Sequence, residues 1–175
     1  MSRPARRIVT GHDRAGRSVI LSDGMPPNVR DKATGVDFIE IWSTPDSPAP
    51  IQAVEPEPTD GPLQVPPPPR GTRMRLNDFY PGHILKLPER ADGRHRMMHR
   101  TRSIDYGIVL EGEIYMIMDD TEVLLRAGDI VVQRGTDHAW ENRSDKLARM
   151  AFILIGGQFS DELLRSLPPK FEVRE

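Results

Sequence analysis

The side chains best suited to chemistry in this chain are its histidines, because imidazole binds transition metals and exchanges protons near neutral pH. There are five of them: His12, His83, His95, His99 and His138. His99 and His138 have the most informative neighbours, since the carboxylate Asp105 follows the first closely and a glycine-containing turn precedes the second. The chain has no cysteine, which excludes disulfides, thiolate metal sites, iron–sulfur clusters and cysteine nucleophiles.

The charge balance argues against a nucleic-acid-binding protein. Lys and Arg total 24 and Asp and Glu total 26, giving a formal net charge of −2, whereas a protein that binds the phosphate backbone needs a basic surplus. No apolar run approaches the roughly 20 residues of a membrane span, and residues 1–7 lack the apolar core of an export signal. We therefore expect a cytoplasmic protein that binds neither nucleic acid nor a membrane.

Strands must position the candidate groups, because the chain after residue 70 alternates short β-rich runs with turn sequences. Runs at such regular spacing, without intervening helices, predict an antiparallel sandwich or barrel. The predicted strands cover residues 71–79, 103–110, 114–118, 122–125, 129–133 and 147–155. The run 114–118 is apolar on both faces, so we expect one face inside the barrel and the other under N-terminal strands or a second subunit.

The two ends of the chain add further elements. Residues 7–12 and 17–21 predict a hairpin around a turn at 13–16, and the alternating segment 37–43 predicts another strand. At the C-terminus, Ser160 is expected to cap a short helix over 161–167 that Pro168-Pro169 would end. The predicted buried stripe of this helix consists of Leu163, Leu164 and Leu167.

Proline is concentrated between the N-terminal strands and the β-rich region. Ten of the 17 prolines lie between Pro45 and Pro69. Because proline fixes φ and lacks an N–H donor, this stretch predicts an extended connection rather than a helix or an internal strand. Two interpretations are open: an ordered arm that wraps the domain, or a ligand for a proline-binding module. We favour the ordered arm.

Two stretches of the chain resemble the two sequence motifs of the cupin superfamily. The first family motif is His-x-His, three or four residues, Glu, six residues and Gly; here His99 matches the first His, Asp105 stands for Glu and Gly112 fits the closing Gly. The matches to the second motif are Gly128, Gly135, His138 and Asn142. Thr101 replaces the second His and Gln133 the usual Pro, and the resemblance extends over about residues 71–156.

The resemblance implies an all-β fold, the cupin double-stranded β-helix or jelly-roll barrel, with extra N-terminal strands and a short C-terminal helix. It divides the chain into three parts. Residues 1–70 would form N-terminal strands and a proline-rich arm on the barrel, 71–157 the barrel itself, and 158–175 the helix and tail. A homodimer is also expected from the family.

The resemblance further implies that His99, Asp105 and His138 converge inside the barrel. Two imidazoles and one carboxylate are the ligand pattern of mononuclear iron(II), and such a site also holds zinc, manganese or nickel. A divalent metal is therefore the expected cofactor, and no organic cofactor is expected. Because Thr101 is a poor ligand and aspartate is shorter than glutamate, a metal-free pocket stays open as the alternative, with both histidines as proton donors or acceptors.

Several neighbours of these groups are candidates for the pocket wall. Thr101, Tyr106, Trp140 and Arg134 are assigned to substrate binding, the aromatic rings by stacking and Arg134 by reaching a carboxylate at the barrel mouth. The competing interpretations are core packing for the aromatic residues and a surface turn for Arg134. Arg100 and Arg102 alternate with His99 and Thr101, so they are expected to face away as solvated or interface charges.

An enzyme is the favoured function. The site would act on a small oxygenated or aromatic acid by decarboxylation, dehydration or isomerisation. The alternatives are a metal-free cupin that binds a small molecule without catalysis and an iron-dependent dioxygenase. The family link does not choose among these chemistries.

Overall fold

Short antiparallel β-strands are the main regular elements of the computed structural model, which describes residues 4–30, 35–53 and 55–167. The strands are β1 (Arg7–His12), β2 (Ser18–Gly24), β3 (Val29–Arg30), β4 (Val36–Thr44), β5 (Thr72–Phe79), β6 (Ser103–Glu111), β7 (Glu113–Ile117), β8 (Glu122–Arg126), β9 (Ile130–Arg134), β10 (Ala139–Glu141) and β11 (Ala148–Gly156). A 3₁₀ turn covers His83–Lys86 and a helix, α1, covers Asp161–Ser166. The predicted all-β architecture with a short C-terminal helix is confirmed.

Two sheets enclose the core. The larger has the order β3-β4-β5-β11-β6-β9 and the smaller the order β10-β7-β8, while β1 and β2 form a separate hairpin. Buried side chains from both sheets meet between them, among them Val109, Ile114, Met116, Trp140 and Met150. Burying one apolar side chain of this size stabilises the folded protein by about 1.5–3 kcal/mol relative to leaving it exposed.

Strand alternation decides which side chains of β6 face the interior. Ser103, Asp105, Gly107 and Val109 are buried, while Tyr106 on the opposite face is exposed. Successive side chains of a strand point to opposite faces, so Asp105 shares the inner face with Val109. The register with β11 places Leu154 opposite Asp105, and both side chains face the interior.

The N-terminal region joins the larger sheet directly. The predicted hairpin is confirmed as β1 and β2, and its turn is held by Asp13, whose Oδ1 accepts hydrogen bonds from the N–H groups of Ala15 and Arg17. The segment predicted as a strand over 37–43 is β4, which pairs with β5 along its length. Hydrogen bonding within the sheet therefore crosses the boundary predicted at residues 70 and 71.

The proline-rich arm lies against the barrel. The guanidinium Nη2 of Arg75 donates to the carbonyl oxygens of Gln64 at 2.7 Å and Val65 at 3.1 Å. Further along, the backbone of Pro68 and Pro69 passes so close to Gly156 that a Cβ there would overlap both carbonyl oxygens. The arm is thus packed on the sheet by backbone contacts as well as by side chains.

Substituting Gly156 with alanine is expected to lower the free energy of unfolding by about 1–3 kcal/mol, the usual cost of forcing a methyl group into a packed position. The clash is with backbone carbonyls of the arm, which cannot rotate away as a flexible side chain would. Urea denaturation measures the loss. The control is Gly24→Ala, because a Cβ at Gly24 meets nothing within 4 Å. Equal free energies of unfolding for the two variants would show that a methyl group at position 156 does not clash with the arm.

The C-terminal helix begins as predicted. Ser160 is its N-cap, with Oγ accepting a hydrogen bond from the N–H of Leu163. The predicted buried stripe is wrong for Leu163 and Leu164, which are exposed, because a helix of fewer than two turns lays no full face on the sheet. Pro168-Pro169 and the rest of the tail lie outside the described residues. Within the described ranges, no helix is long and apolar enough to cross a membrane.

Candidate functional site

A cavity of about 430 Å³ opens between the two sheets. Aromatic and aliphatic side chains make up much of its wall: Phe38, Phe79, Met97, Trp140, Phe152 and Leu154. Polar side chains interrupt this wall at a few points: Arg75, Asn77, His99, Thr101, Asp105 and His138. An apolar cavity with a few polar groups is the usual form of a small-molecule site.

His99 and His138 are brought together by a β-bridge. Each backbone N–H donates to the carbonyl oxygen of the other residue at 3.0 Å, and the imidazole centroids lie 4.4 Å apart with the rings tilted by 49°. The two residues are 39 positions apart in the sequence, so the fold rather than local spacing places their rings side by side.

Backbone carbonyls set the orientation of both imidazole rings. Nδ1 of His99 lies 2.8 Å from the carbonyl oxygen of Met97, and Nδ1 of His138 lies 3.0 Å from that of Thr136. A carbonyl can only accept, so the contact of His99 favours a neutral ring with its proton on Nδ1. Nδ1 of His138 lies between the carbonyl oxygen of Thr136 and the amide Nε2 of Gln133, a donor 3.2 Å away. Burial lowers the pKa of His138, which keeps this imidazole neutral at physiological pH.

Asp105 places a buried carboxyl group on the same cavity. Its Oδ1 atom is inaccessible and has no hydrogen-bond partner among the described residues. Burial raises the pKa of Asp105 to about 6, and the rise is limited by the hydroxyl of Ser103 and the positive charge of Arg75. The carboxyl group therefore changes its charge close to neutral pH.

Two of the predicted wall residues also face this cavity. Thr101 is buried, and its hydroxyl accepts a hydrogen bond from Ser103 Oγ at 2.7 Å. Trp140 meets the rings of His138 and Phe152 edge-on, at centroid distances of 6.0 Å and 5.4 Å. The indole thus fixes one side of His138 while contributing apolar surface to the cavity.

The structure corrects the placement of the other two predicted wall residues. Tyr106 and Arg134 are exposed and lie outside the cavity. Tyr106 follows the inward-facing Asp105 by one residue, so strand alternation turns it to the outer face. Arg134 pairs in register with Ile104, which is on that same outer face.

The expected divalent metal does not fit the residues as they are placed. Among the residues with described positions, no three or more His, Cys, Asp or Glu side chains are grouped so that they could hold a metal ion. The two imidazoles are adjacent, but Thr101 offers only a hydroxyl and Asp105 lies near Ser103 and Arg75. The three-ligand arrangement is therefore not found, and we assign no chemical step to a metal.

The cavity also contains residues that sequence patterns did not indicate. Arg75 and Asn77 face it from β5, because Arg73, Arg75, Asn77 and Phe79 occupy the buried face of that strand. Two connecting segments complete the wall, the arm at Leu63 and Val65 and the loop residues Leu87, Pro88, Glu89, Arg90, Arg96 and Met97.

Arg100 departs from part of its prediction. As expected from its alternation with His99, it is not among the residues that line the cavity, but it is buried rather than a solvated charge, and its Nη2 donates to Asp137 Oδ2 at 2.9 Å. Asp137 also contacts Arg94, at 3.4 Å. This cluster secures the turn before His138 and so supports the position of the imidazole.

Residues 84–155 match the protein family described as Cupin domain. The chain is 35% identical over 162 residues to phomopsin biosynthesis cluster protein D of Diaporthe leptostromiformis, covering 87% of this chain and 79% of the relative. It is also 35% identical over 161 residues to the cupin-domain-containing oxidoreductase fogC of Aspergillus ruber, covering 89% and 73%. A cupin 2 conserved barrel domain protein from Salinispora arenicola has a similar structure, with a TM-score of 0.42, 18% identity, and coverage of 73% of this chain and 81% of that one.

Proposed function

The chain belongs to the cupin superfamily, and from this premise we propose that it is an enzyme that transfers protons on a small, mainly apolar oxygenated or aromatic molecule inside its barrel. The observation that carries the proposal is that His99, Asp105 and His138 all face one apolar cavity. To move a proton between two positions of a ligand, an enzyme needs at least one group that removes the proton and one that returns it, and buried acids and bases on one cavity can do both.

Both titratable groups can exchange a proton with a ligand near neutral pH. Neutral His138 accepts a proton at its unprotonated ring nitrogen, while Asp105, with its pKa of about 6, takes a proton when ionised and supplies one when protonated. Removal of a proton from carbon next to a carbonyl and its return at another position is an isomerisation. The same pair serves dehydration or decarboxylation by protonating the leaving hydroxyl or the resulting carbanion.

The apolar wall would hold the body of the ligand and exclude water. Phe79, Trp140 and Phe152 offer ring surface, and hydrogen bonds to the reacting oxygen are stronger in such surroundings than in water. Two relatives support a biosynthetic setting: phomopsin biosynthesis cluster protein D, and oryzines biosynthesis cluster protein J of Aspergillus oryzae at 31% identity.

A second candidate function, oxidation or reduction, is favoured by the names of other relatives. FogC and the cupin-domain-containing oxidoreductase virC of Hypocrea virens are 35% and 32% identical to this chain. Such a reaction needs an electron acceptor or donor that the cavity side chains do not provide, and the iron-dependent dioxygenase is one form of it. Binding without catalysis is the remaining alternative.

Deuterium exchange tests the proposal without a known substrate. The protein is incubated in D₂O with 2-oxo acids, β-keto esters, aromatic ketones and aromatic acids, and C–H exchange is followed by NMR. We expect exchange in at least one class, reduced about 100-fold or more in Asp105→Asn and in His138→Gln. The control is Tyr106→Phe, which alters an aromatic residue outside the cavity and should leave exchange unchanged.

The outcomes separate catalysis with and without a metal from simple binding. Exchange that survives treatment with a chelator supports metal-free proton transfer. Exchange that is lost on chelation and restored by a divalent metal indicates proton transfer that depends on a metal, and it contradicts the metal-free assignment. Absence of exchange in every class contradicts the proposal and leaves binding without catalysis.

The expected homodimer and cytoplasmic location stay predictions. For the dimer, we propose that a second copy covers the outer face of β6 and β9. The exposed apolar residues of that face are Ile104, Tyr106, Ile130 and Val132. Contiguous exposed apolar surface of this kind is typical of contact sites between proteins.

A further inference from the structure

We propose that Arg75 binds a carboxylate of the ligand inside the cavity, so that the barrel selects an organic acid with an apolar body. This proposal rests on one part of the proposed function, which is that the cavity binds a small molecule. The guanidinium lines the cavity and its side chain is 3% exposed. A cation in this position attracts the ionised carboxylate form of a ligand and disfavours neutral analogues.

The charges of Arg73, Arg75 and Glu40 do not cancel one another. Arg73 and Arg75 share one carboxylate, Glu40, and the side chains of all three are at most 10% exposed. Arg73 Nη1 donates to Glu40 Oε2 at 3.1 Å, whereas Arg75 Nε stays 3.5 Å from Glu40 Oε1 and makes no hydrogen bond to it. Two positive charges and one negative charge leave this buried cluster with a surplus of one positive charge.

The donors of Arg75 are only partly used. Nη2 donates to the carbonyl oxygens of Gln64 and Val65, while Nε is buried without a partner among the described residues. Burial lowers the pKa of Arg75 to about 10, so the group stays charged at neutral pH. An unsatisfied donor on a buried charge is costly. A ligand carboxylate in the cavity would add a charge-assisted hydrogen bond to the guanidinium.

The other arginines of the cavity wall are engaged with acids of the loop. Arg90 Nη2 donates to Asp92 at 2.7 Å, and Arg96 Nη2 donates to Glu89 at 2.9 Å. Asp105 also faces the cavity near Arg75, and because its pKa is about 6 it offsets the surplus at neutral pH and leaves it uncompensated below about pH 6. Arg75 is therefore the cavity arginine placed to bind an added carboxylate.

The surroundings of Arg75 suit an apolar acid. The guanidinium carbon lies 5.8 Å from the ring centre of Phe38, and Phe79 and Leu154 face the same space. The low polarity of this wall strengthens a charge-assisted hydrogen bond and accommodates a ring or chain attached to the carboxylate. The cavity volume of about 430 Å³ accepts a molecule with two fused rings.

Binding of 2-naphthoate and of its uncharged methyl ester tests the proposal, with fluorescence titration as the measurement. We expect wild-type protein to bind the acid about 10- to 100-fold more tightly than the ester, as a hydrogen-bonded charge would give. Arg75→Met should remove this preference by weakening the acid alone. Arg75→Lys should restore part of it, because lysine keeps the charge without the forked geometry.

Binding of the ester is the internal control for a displacement of the proline-rich arm in the Arg75 variants. Arg75 also holds Gln64 and Val65 of the arm. If its loss opens the cavity wall, the binding of the acid and of the ester will weaken together. Equal weakening, an equal affinity of wild-type protein for both probes, or failure to bind either would each overturn the proposal. Its failure is separable from that of the proposed function, since deuterium exchange on neutral ketones and esters does not require Arg75.

Discussion

Replacing Asp105 with asparagine is expected to stabilise the folded protein at pH 8, raising the free energy of unfolding by about 3 kcal/mol. The gain follows from a pKa that burial lifts from 3.8 to about 6, since each unit corresponds to about 1.4 kcal/mol between the two protonation states. Oδ1 has no hydrogen-bond partner among the described residues, so asparagine removes a buried charge without breaking a bond at that atom. Asp105, the residue proposed to transfer protons, therefore lowers the stability of the folded protein at this pH.

The pH dependence of this gain has a defined direction. The folded state holds the Asp105 proton more tightly than the unfolded state, so the contribution of the acid form is fully present below about pH 4 and is lost as pH rises through about 6. Asparagine resembles the protonated acid at every pH. The difference between the variant and wild type should therefore be near zero at pH 4 and reach its maximum above pH 7.

Urea denaturation of both proteins between pH 4 and pH 8 measures this difference. Asp120→Asn is the matched control, because that aspartate is exposed on a turn and its substitution should produce no comparable trend. A difference that does not change with pH would mean that the Asp105 carboxylate is as well stabilised in the folded protein as in water. That result would point to a cation or another partner beside it.

The elements of the fold were predictable because their signals are local. Short alternating runs and turn residues predicted β6, β9 and β11. The start of α1 was predicted from Ser160 as the N-cap and the acidic residues that follow it. The meeting of His99 and His138 was expected from the resemblance of two separate motifs to those of a known fold. Their individual positions in the sequence carry no such information.

The inward face of β5 was not predictable in the same way. Met74 and Leu76 alternate as apolar residues, which favours the face opposite to the one buried. The face with Arg73 and Arg75 is buried instead, because Glu40 from β4 provides a carboxylate more than 30 residues away in the sequence. Burial of charge depends on such distant partners, and a local pattern does not reveal them.

His83 illustrates the same limit in the core. No neighbouring pattern singled it out, yet it is fully buried, with Nε2 3.2 Å from the carbonyl oxygen of Trp140 and its ring against Phe79. The bond to Trp140 spans 57 residues. It connects the loop before the cavity to β10, which carries one wall of the site.

Removing the negative charge of Glu40 is expected to be strongly destabilising. In Glu40→Gln, two guanidinium groups remain buried without a carboxylate, and loss of one partner from a buried ionic cluster costs about 3–5 kcal/mol. Glutamine fits the same space, so the effect reports charge rather than packing. Urea denaturation at pH 7 measures the loss.

A double variant separates charge from all other effects of the substitution. Glu40→Gln with Arg73→Met removes one negative and one positive charge, so it restores the original net charge of the cluster and should recover part of the lost stability. The surface control is Glu122→Gln, whose partner Arg143 is 40% exposed and whose loss should cost less than about 1 kcal/mol. If Glu40→Gln costs no more than this control, water must reach the cluster and screen its charges. The surplus positive charge at Arg75 would then be too weak to select an acidic ligand, so this stability measurement also bears on the specificity of the cavity.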